Sequence, residues 1–370
     1  MSAPRALALA IYAVASGSLI ATALSEPEWN FDAVGYVGAS LNGSPVEVQQ
    51  QAYQAIASAA PEAQAQAIAA SSPNRRHLAA DADAFAALLP VYRFKWGYVA
   101  LVKVLAALGI NPATATHLIS TAAYGVLALA LLGWLLSRQA PPWVVLLAAL
   151  LVSAPPLGEL AGLSTPDMLV VSLMALGAAA VTANDRRRSG FGLSLLCLCG
   201  LVRPDASLNT VVLLAALALS DRTERRRAAV GIGAVGLLAG CAALASGPSE
   251  VAGVVGRYFT GGAYAGVPDQ SGLSAYVHAL AVGLRGSNLF HPSVIALWAV
   301  CGVVALAGLR GPHQRTRVVT IAAWAAIPLR FLLFPDRSDR FFAGTYAVTG
   351  FALLVAALSV PANSGDPGNE

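Results

Sequence analysis

The chain has 370 residues, of which only 11% are charged and 57% hydrophobic, and its mean hydropathy is +0.65. A soluble domain carries about 25% charge, so composition argues against a water-soluble fold and for an all-α, polytopic membrane protein. The net charge of +4 comes largely from short Arg clusters of the kind that orient helices in a bilayer, and no nucleic-acid partner is expected.

A spanning helix needs about 20 apolar residues. In chain order the candidates are 4–24, 115–137, 142–161, 167–183, 190–202, 206–220, 229–247, 291–309, 318–334 and 341–360. The Arg-rich connections 185–188, 221–227 and 309–317 belong on the cytoplasmic side. Walking outward from them yields about ten spans with both termini inside. Of 19 acids this leaves only Asp185, Asp221, Glu224, Asp366 and Glu370 inside, and the other 14 outside. Carboxylates do little to set orientation, so their asymmetry points to chemistry at the outer face.

The expected organisation is a first span (1–24), an outer loop with juxtamembrane helices (25–114), a transmembrane bundle (115–360) and a disordered cytoplasmic tail (361–370). The loop opens with "EPEWNFDAVGYVGAS" (26–40), where Glu26, Glu28 and Asp32 stand among Trp29, Phe31 and Tyr36. Ser44-Pro45 with Glu47 then predicts a helix start, and Pro61 divides the Ala- and Gln-rich stretch 44–73 into two short helices. A plain spacer is the competing reading. The segment 96–110 would invert every later span if it crossed, and with Lys103 in it, it is expected to lie in the outer interface.

Three charged motifs fall at helix ends. "STPD" places Asp167 at the outer start of a span, where capping alone would explain it. "VRPD" joins two spans through Arg203, Pro204 and Asp205, charges costly near hydrocarbon unless they pair or meet a phosphate. "PLRFLLFPDRSDRFF" holds Arg330 inside a span, facing lipid or a polar cavity, with Asp336, Arg337, Asp339 and Arg340 at its mouth. Tyr92, Arg93, Lys95, Trp96 and Tyr98 close the first loop, and Arg257 lies in a second outer segment, 248–290, rich in Gly and aromatics. Both sets fit interfacial anchoring as well as phosphate or sugar binding.

An acid after the first span, surface helices, the aromatic-basic "YRFKWGYVALVKVLAALG", then "STPD", "VRPD" and "DRFF" follow one another in an order that resembles the GT-C superfamily of integral-membrane glycosyltransferases. The resemblance implies a GT-C-like fold and a hexosyl- or pentosyltransferase in a bacterial plasma membrane. Its active site would face outside, moving sugar from a polyprenyl-phosphate donor to a cell-envelope lipid, glycan or protein. Under it, Asp32 is the catalytic base. It also implies that Arg93 and Lys95 touch donor phosphate, that Asp167 supports the site, and that Arg203 and Arg340 are further phosphate ligands; Tyr92, Asp205, Arg257 and Arg330 join them as substrate-binding candidates from their own positions. The family often shows a second acid at the first position, where this chain has Ala33. No cofactor follows with certainty, and outer acids such as Asp32 and Asp167 could take Mg2+ or Mn2+ through oxygen. The alternative is a transporter or lipid flippase, which predicts internal repeats and polar residues at mid-membrane.

Overall fold

The computed structural model describes residues 2–183, 185–246, 292–309, 313–333 and 339–360, with Val277, Leu280 and Ala281. The described residues are helical without a strand, as expected, and the single β-bridge is an isolated one between Glu28 and Leu163.

The first helix, α1 (Ala3–Ser25), is followed by a compact set of six: α2 (Phe31–Ser40), α3 (Pro45–Ala59), α4 (Glu62–Ala70), α5 (Pro73–Ala80), α6 (Ala82–Arg93) and α7 (Trp96–Ala107). Local chemistry explains their boundaries. The Asn30 side chain accepts from the Ala33 N–H and starts α2, and Ser44 and Glu47 form a complete capping box for α3. Gly109, at φ +86°, closes α7 while the Ile110 N–H reaches back to the Leu105 carbonyl. The helices predicted on either side of Pro61 are present. The spacer reading fails, because α2, α3, α4 and α6 bury a core of their own around Val34, Ile56, Ile68, Phe85 and Leu89. Each such side chain contributes about 1.5–3 kcal/mol when fully buried.

The bundle follows: α8 (Pro112–Ser137), α9 (Pro142–Ser153), the short α10 (Leu157–Leu160), α11 (Asp167–Val181), α12 (Arg186–Val202), α13 (Ala206–Ser220), α14 (Arg225–Ser246), α15 (Pro292–Gly308), α16 (Gln314–Leu333) and α17 (Ala343–Leu358). A 3-10 turn, Asp339–Phe341, precedes α17. Of the described helices, α1 and α8 are long and apolar enough to cross a membrane, and further apolar helices are shorter. The expected single run 142–161 is broken. Pro155 and Pro156, joined by a cis peptide, disfavour helix at Ala154, so α9 stops at Ser153 and α10 restarts beyond them.

Packing places α11 at the centre, against α8, α12 and α17. On one side of it α1, α8, α9, α15 and α17 share an apolar core; on the other, α7, α12, α13 and α16 share a second. The α7 helix turns Tyr98, Val99 and Val102 inward and leaves Leu101, Lys103 and Val104 exposed. Gly97 permits this seat, because a Cβ there would lie 2.8 Å from the Leu201 carbonyl oxygen of α12. The helix starts of α2, α7, α11 and α13, the C-terminal half of α16 and the 3-10 turn thereby meet at one end of the bundle. The tail 361–370 and most of the second outer segment lie outside the described residues.

Candidate active site

Asp32 sits in the first turn of α2, and Tyr36 follows it one turn later. Helical spacing brings i and i+4 to one face, so both side chains look toward α6 and the α6–α7 junction. There Tyr92 Oη donates to Asp32 Oδ1 at 3.1 Å, and Lys95 Nζ donates to Tyr36 Oη at 2.8 Å. Gly35 makes the Tyr92 approach possible, since a Cβ on it would meet the Tyr92 ring at 2.3 Å. Tyr36 packs edge-on against both Tyr92 and Tyr98, at 4.9 and 4.8 Å between ring centroids. The Lys95 ammonium also lies 5.0 Å from the Tyr36 ring centre and 5.4 Å from that of Tyr92, within cation–π range, and forms no ion pair with a described carboxylate.

From Asp32 a chain of ion pairs runs into the bundle. Arg340 of the 3-10 turn donates to Asp32 Oδ2 at 3.1 Å and approaches Asp167 Oδ2 at 3.9 Å. Asp167 is bound by Arg203 and by the Thr165 hydroxyl, the latter at 2.6 Å. Arg203 holds Asp205 through two parallel bonds of 3.0 and 2.7 Å, and Arg330 adds a third at 2.9 Å. Asp167, Arg203 and Arg330 are only 3%, 7% and 3% exposed, which for charged groups demands such pairing. The capping role considered for Asp167 is not the one it plays. It stands inside α11, with Pro166 before it, and its carboxylate faces Thr165 and Arg203. Arg330 likewise faces no lipid.

One ring underlies all three guanidiniums. Phe341 lies 4.6 Å from the Arg203 guanidinium carbon, 4.2 Å from that of Arg330 and 4.9 Å from that of Arg340.

The electrostatics follow from this arrangement. Burial opposes the Asp32 charge, but Arg340 and Lys95, with hydrogen bonds from Arg340 and Tyr92, hold its carboxyl below the ordinary range. Burial likewise opposes the charge on Asp205, and Arg203 and Arg330 overcome it and hold that carboxyl well down. Burial and the nearby Arg203 bring the Lys95 ammonium down to about 8, against the pull of Asp32 and Asp205. Burial, reinforced by Asp32, pushes the Tyr36 phenol far above its usual value, so it stays protonated.

Of the residues expected at a site, Asp32, Tyr92, Lys95, Asp167, Arg203, Asp205, Arg330 and Arg340 come together. Arg93 does not: it ends α6 exposed and pairs with no described acid. Arg257, Asp336 and Arg337 lie outside the described residues. Tyr36 and Phe341 join the cluster without having been singled out for a role. The i+4 spacing from Asp32 was available for the first, and adjacency to Arg340 for the second. Glu26 and Glu28 are exposed, as hydrated interface residues would be.

Among the described residues no group of three or more His, Cys, Asp or Glu side chains converges as metal ligands. Asp32 and Asp167 instead face Arg340 and Arg203, a donor set that does not fit a divalent cation. Compared with protein-family models, curated proteins and solved structures, the chain matches none. What fold and site define together is therefore coarse: a chain whose described residues are helical, two of those helices being long and apolar enough to cross a membrane, and which gathers a carboxylate–guanidinium network at one end of its bundle.

Proposed function

We propose that this chain is an integral-membrane glycosyltransferase of about ten spans. It would move a sugar from a polyprenyl-phosphate donor to a cell-envelope acceptor at the outer face. The observation that carries the reading is the position of Asp32: a carboxylate with one oxygen on Tyr92 and the other on Arg340, beside Lys95, at the mouth of an Arg-lined cluster. Among the described side chains, four cations (Lys95, Arg203, Arg330, Arg340) face three carboxylates (Asp32, Asp167, Asp205), an excess of one positive charge. A lipid phosphodiester supplies the one negative charge that balances it.

The chemistry is a single displacement. Asp32 takes the proton of an acceptor hydroxyl as its oxygen attacks the anomeric carbon. The bond from that carbon to the phosphate oxygen breaks, and its electron pair leaves with the phosphate. Arg340, Arg203 and Lys95 stabilise the charge that develops there, in a site partly closed to water. Attack opposite the leaving group inverts the anomeric carbon. Before donor binds, Arg340 keeps Asp32 a weak base. A phosphate that draws Arg340 to itself frees one carboxylate oxygen and raises its basicity, so deprotonation waits for the donor.

The test is transfer of radiolabel from a panel of polyprenyl-phosphate sugars in membranes containing the protein and a broad acceptor mixture. Incorporation above that of membranes lacking the protein is expected for at least one donor. None from any donor would end this reading in favour of a transporter or flippase.

A further inference from the structure

We propose that Phe341 is a positioning residue for anion recognition: its ring orients the three guanidiniums of Arg203, Arg330 and Arg340 so that they receive one phosphate group. The proposal rests on the donor reading above and deepens it.

Three like charges repel, and nothing in their own chemistry would gather them around one point. Carboxylates pair with them from the side: Asp205 takes Arg203 and Arg330, Asp167 takes Arg203, and Asp32 takes Arg340. Those bonds direct the N–H edges of the guanidiniums. The two parallel bonds to Asp205 and the bond to Asp167 fix the plane of Arg203. An aromatic face adds a contact to each of the three planes that the ion pairs do not supply, because its quadrupole attracts a guanidinium placed over it. Phe341 lies within 5 Å of all three guanidinium carbons, at 4.2 to 4.9 Å, and is half-buried at the foot of α17. Its neighbour Phe342 is buried, with the Arg330 guanidinium carbon 5.6 Å from its ring centre. Phe342 anchors the start of α17 in the core, and Phe341 serves the cations.

An aliphatic side chain at 341 would fill similar space without a quadrupole. The arginines would keep their carboxylates but lose a common plane of reference, and a phosphate would meet them poorly aligned. Positioning of this kind is separable from bulk packing, because ring electronics can be changed at nearly constant volume.

The experiment titrates the purified full-length protein with farnesyl phosphate by calorimetry, with farnesol as the uncharged control. Variants are Phe341→Leu, Phe341→Tyr and the protein carrying a ring-fluorinated phenylalanine at 341. Loss of the ring should weaken farnesyl phosphate roughly tenfold, the size expected for a few cation–π contacts. Tyr should retain wild-type affinity, and the fluorinated ring should fall between, with farnesol binding unchanged throughout. Leu and fluorinated variants that bind farnesyl phosphate as tightly as wild type would overturn the proposal. So would an equal loss of farnesol, which would make the role one of packing. If the Leu variant does not fold, the fluorinated protein decides alone. Wild-type protein that ignores farnesyl phosphate would remove the donor reading and this inference with it, a result distinct from binding that is indifferent to Phe341.

Discussion

Arg340 reaches Asp32 across 308 positions of sequence and donates to its Oδ2 at 3.1 Å, while Tyr92 occupies Oδ1 at the same distance. Both oxygens of the proposed base are therefore engaged at rest. Removing the guanidinium should release the carboxylate and let its pKa rise, because Arg340 is the strongest of the groups that lower it. In Arg340→Ala the acid limb of the pH–rate profile is expected to move to higher pH. Donor affinity should fall by on the order of tenfold or more, the usual loss for a charge-assisted hydrogen bond. A pH profile of kcat/KM for donor, run beside wild type, checks both.

Gly35 carries a second prediction. A methyl group there would stand 2.3 Å from the Tyr92 ring, so Gly35→Ala must push Tyr92 away from Asp32. Overpacking of this kind costs about 1–3 kcal/mol. Gly17→Ala on α1 is the matched control, with nothing within 4 Å of the new Cβ. Thermal unfolding should separate the two variants clearly, and sugar transfer should drop only in the first.

Lys95 makes the pH dependence two-sided. With its pKa at about 8, it is charged below that value and neutral above it. Phosphate affinity should thus decline as pH rises through about 8. The sign for stability is the opposite. A lysine whose folded pKa is depressed below the unfolded value of about 10.4 makes the folded state bind fewer protons between the two. Its contribution to stability therefore rises with pH over that window. In Lys95→Arg, which stays charged, the decline in donor affinity near pH 8 should vanish, as donor KM measured from pH 6 to 10 would show.

Arg203 bridges two acids, Asp167 and Asp205, both withdrawn from solvent. Arg203→Ala leaves two buried carboxylates short of a partner and should cost about 3–5 kcal/mol. Arg203→Lys should recover only part of this, because a point charge cannot reproduce the two parallel bonds to Asp205. Unfolding temperatures in a fixed detergent would order the three proteins.

Much of this arrangement could be read before any fold was known. Helix positions came from apolar run length and Arg placement, and the ends of α8, α11, α13 and α14 lie within a few residues of expectation. The Arg203–Asp205 pair was visible because only Pro204 separates them and hydrocarbon penalises both. Less was visible where distance in sequence is large. Nothing local shows that Arg330 meets Asp205 or that Arg340 meets Asp32, since those contacts depend on how α16 and the 3-10 turn pack against α2 and α13. Asp167 read as a cap because residue type and position suit one, and only tertiary structure places Arg203 within its reach. The burial of α2 was hidden too. "FDAVGYVGAS" carries no long apolar run, and its small residues matter only once α3 and α6 close around them.

The central claim is that Asp32 deprotonates an acceptor hydroxyl. Sugar transfer from a labelled polyprenyl-phosphate donor, compared between wild type and Asp32→Asn at matched expression and unfolding temperature, tests it most directly. Asn keeps the size of the side chain and can still accept from Tyr92, but it cannot take a proton. Transfer should fall by two to four orders of magnitude, roughly the contribution of general-base catalysis, while farnesyl phosphate binding persists. Undiminished transfer by a folded Asp32→Asn protein would contradict the claim and leave Asp167 and Asp205 as the carboxylates to examine.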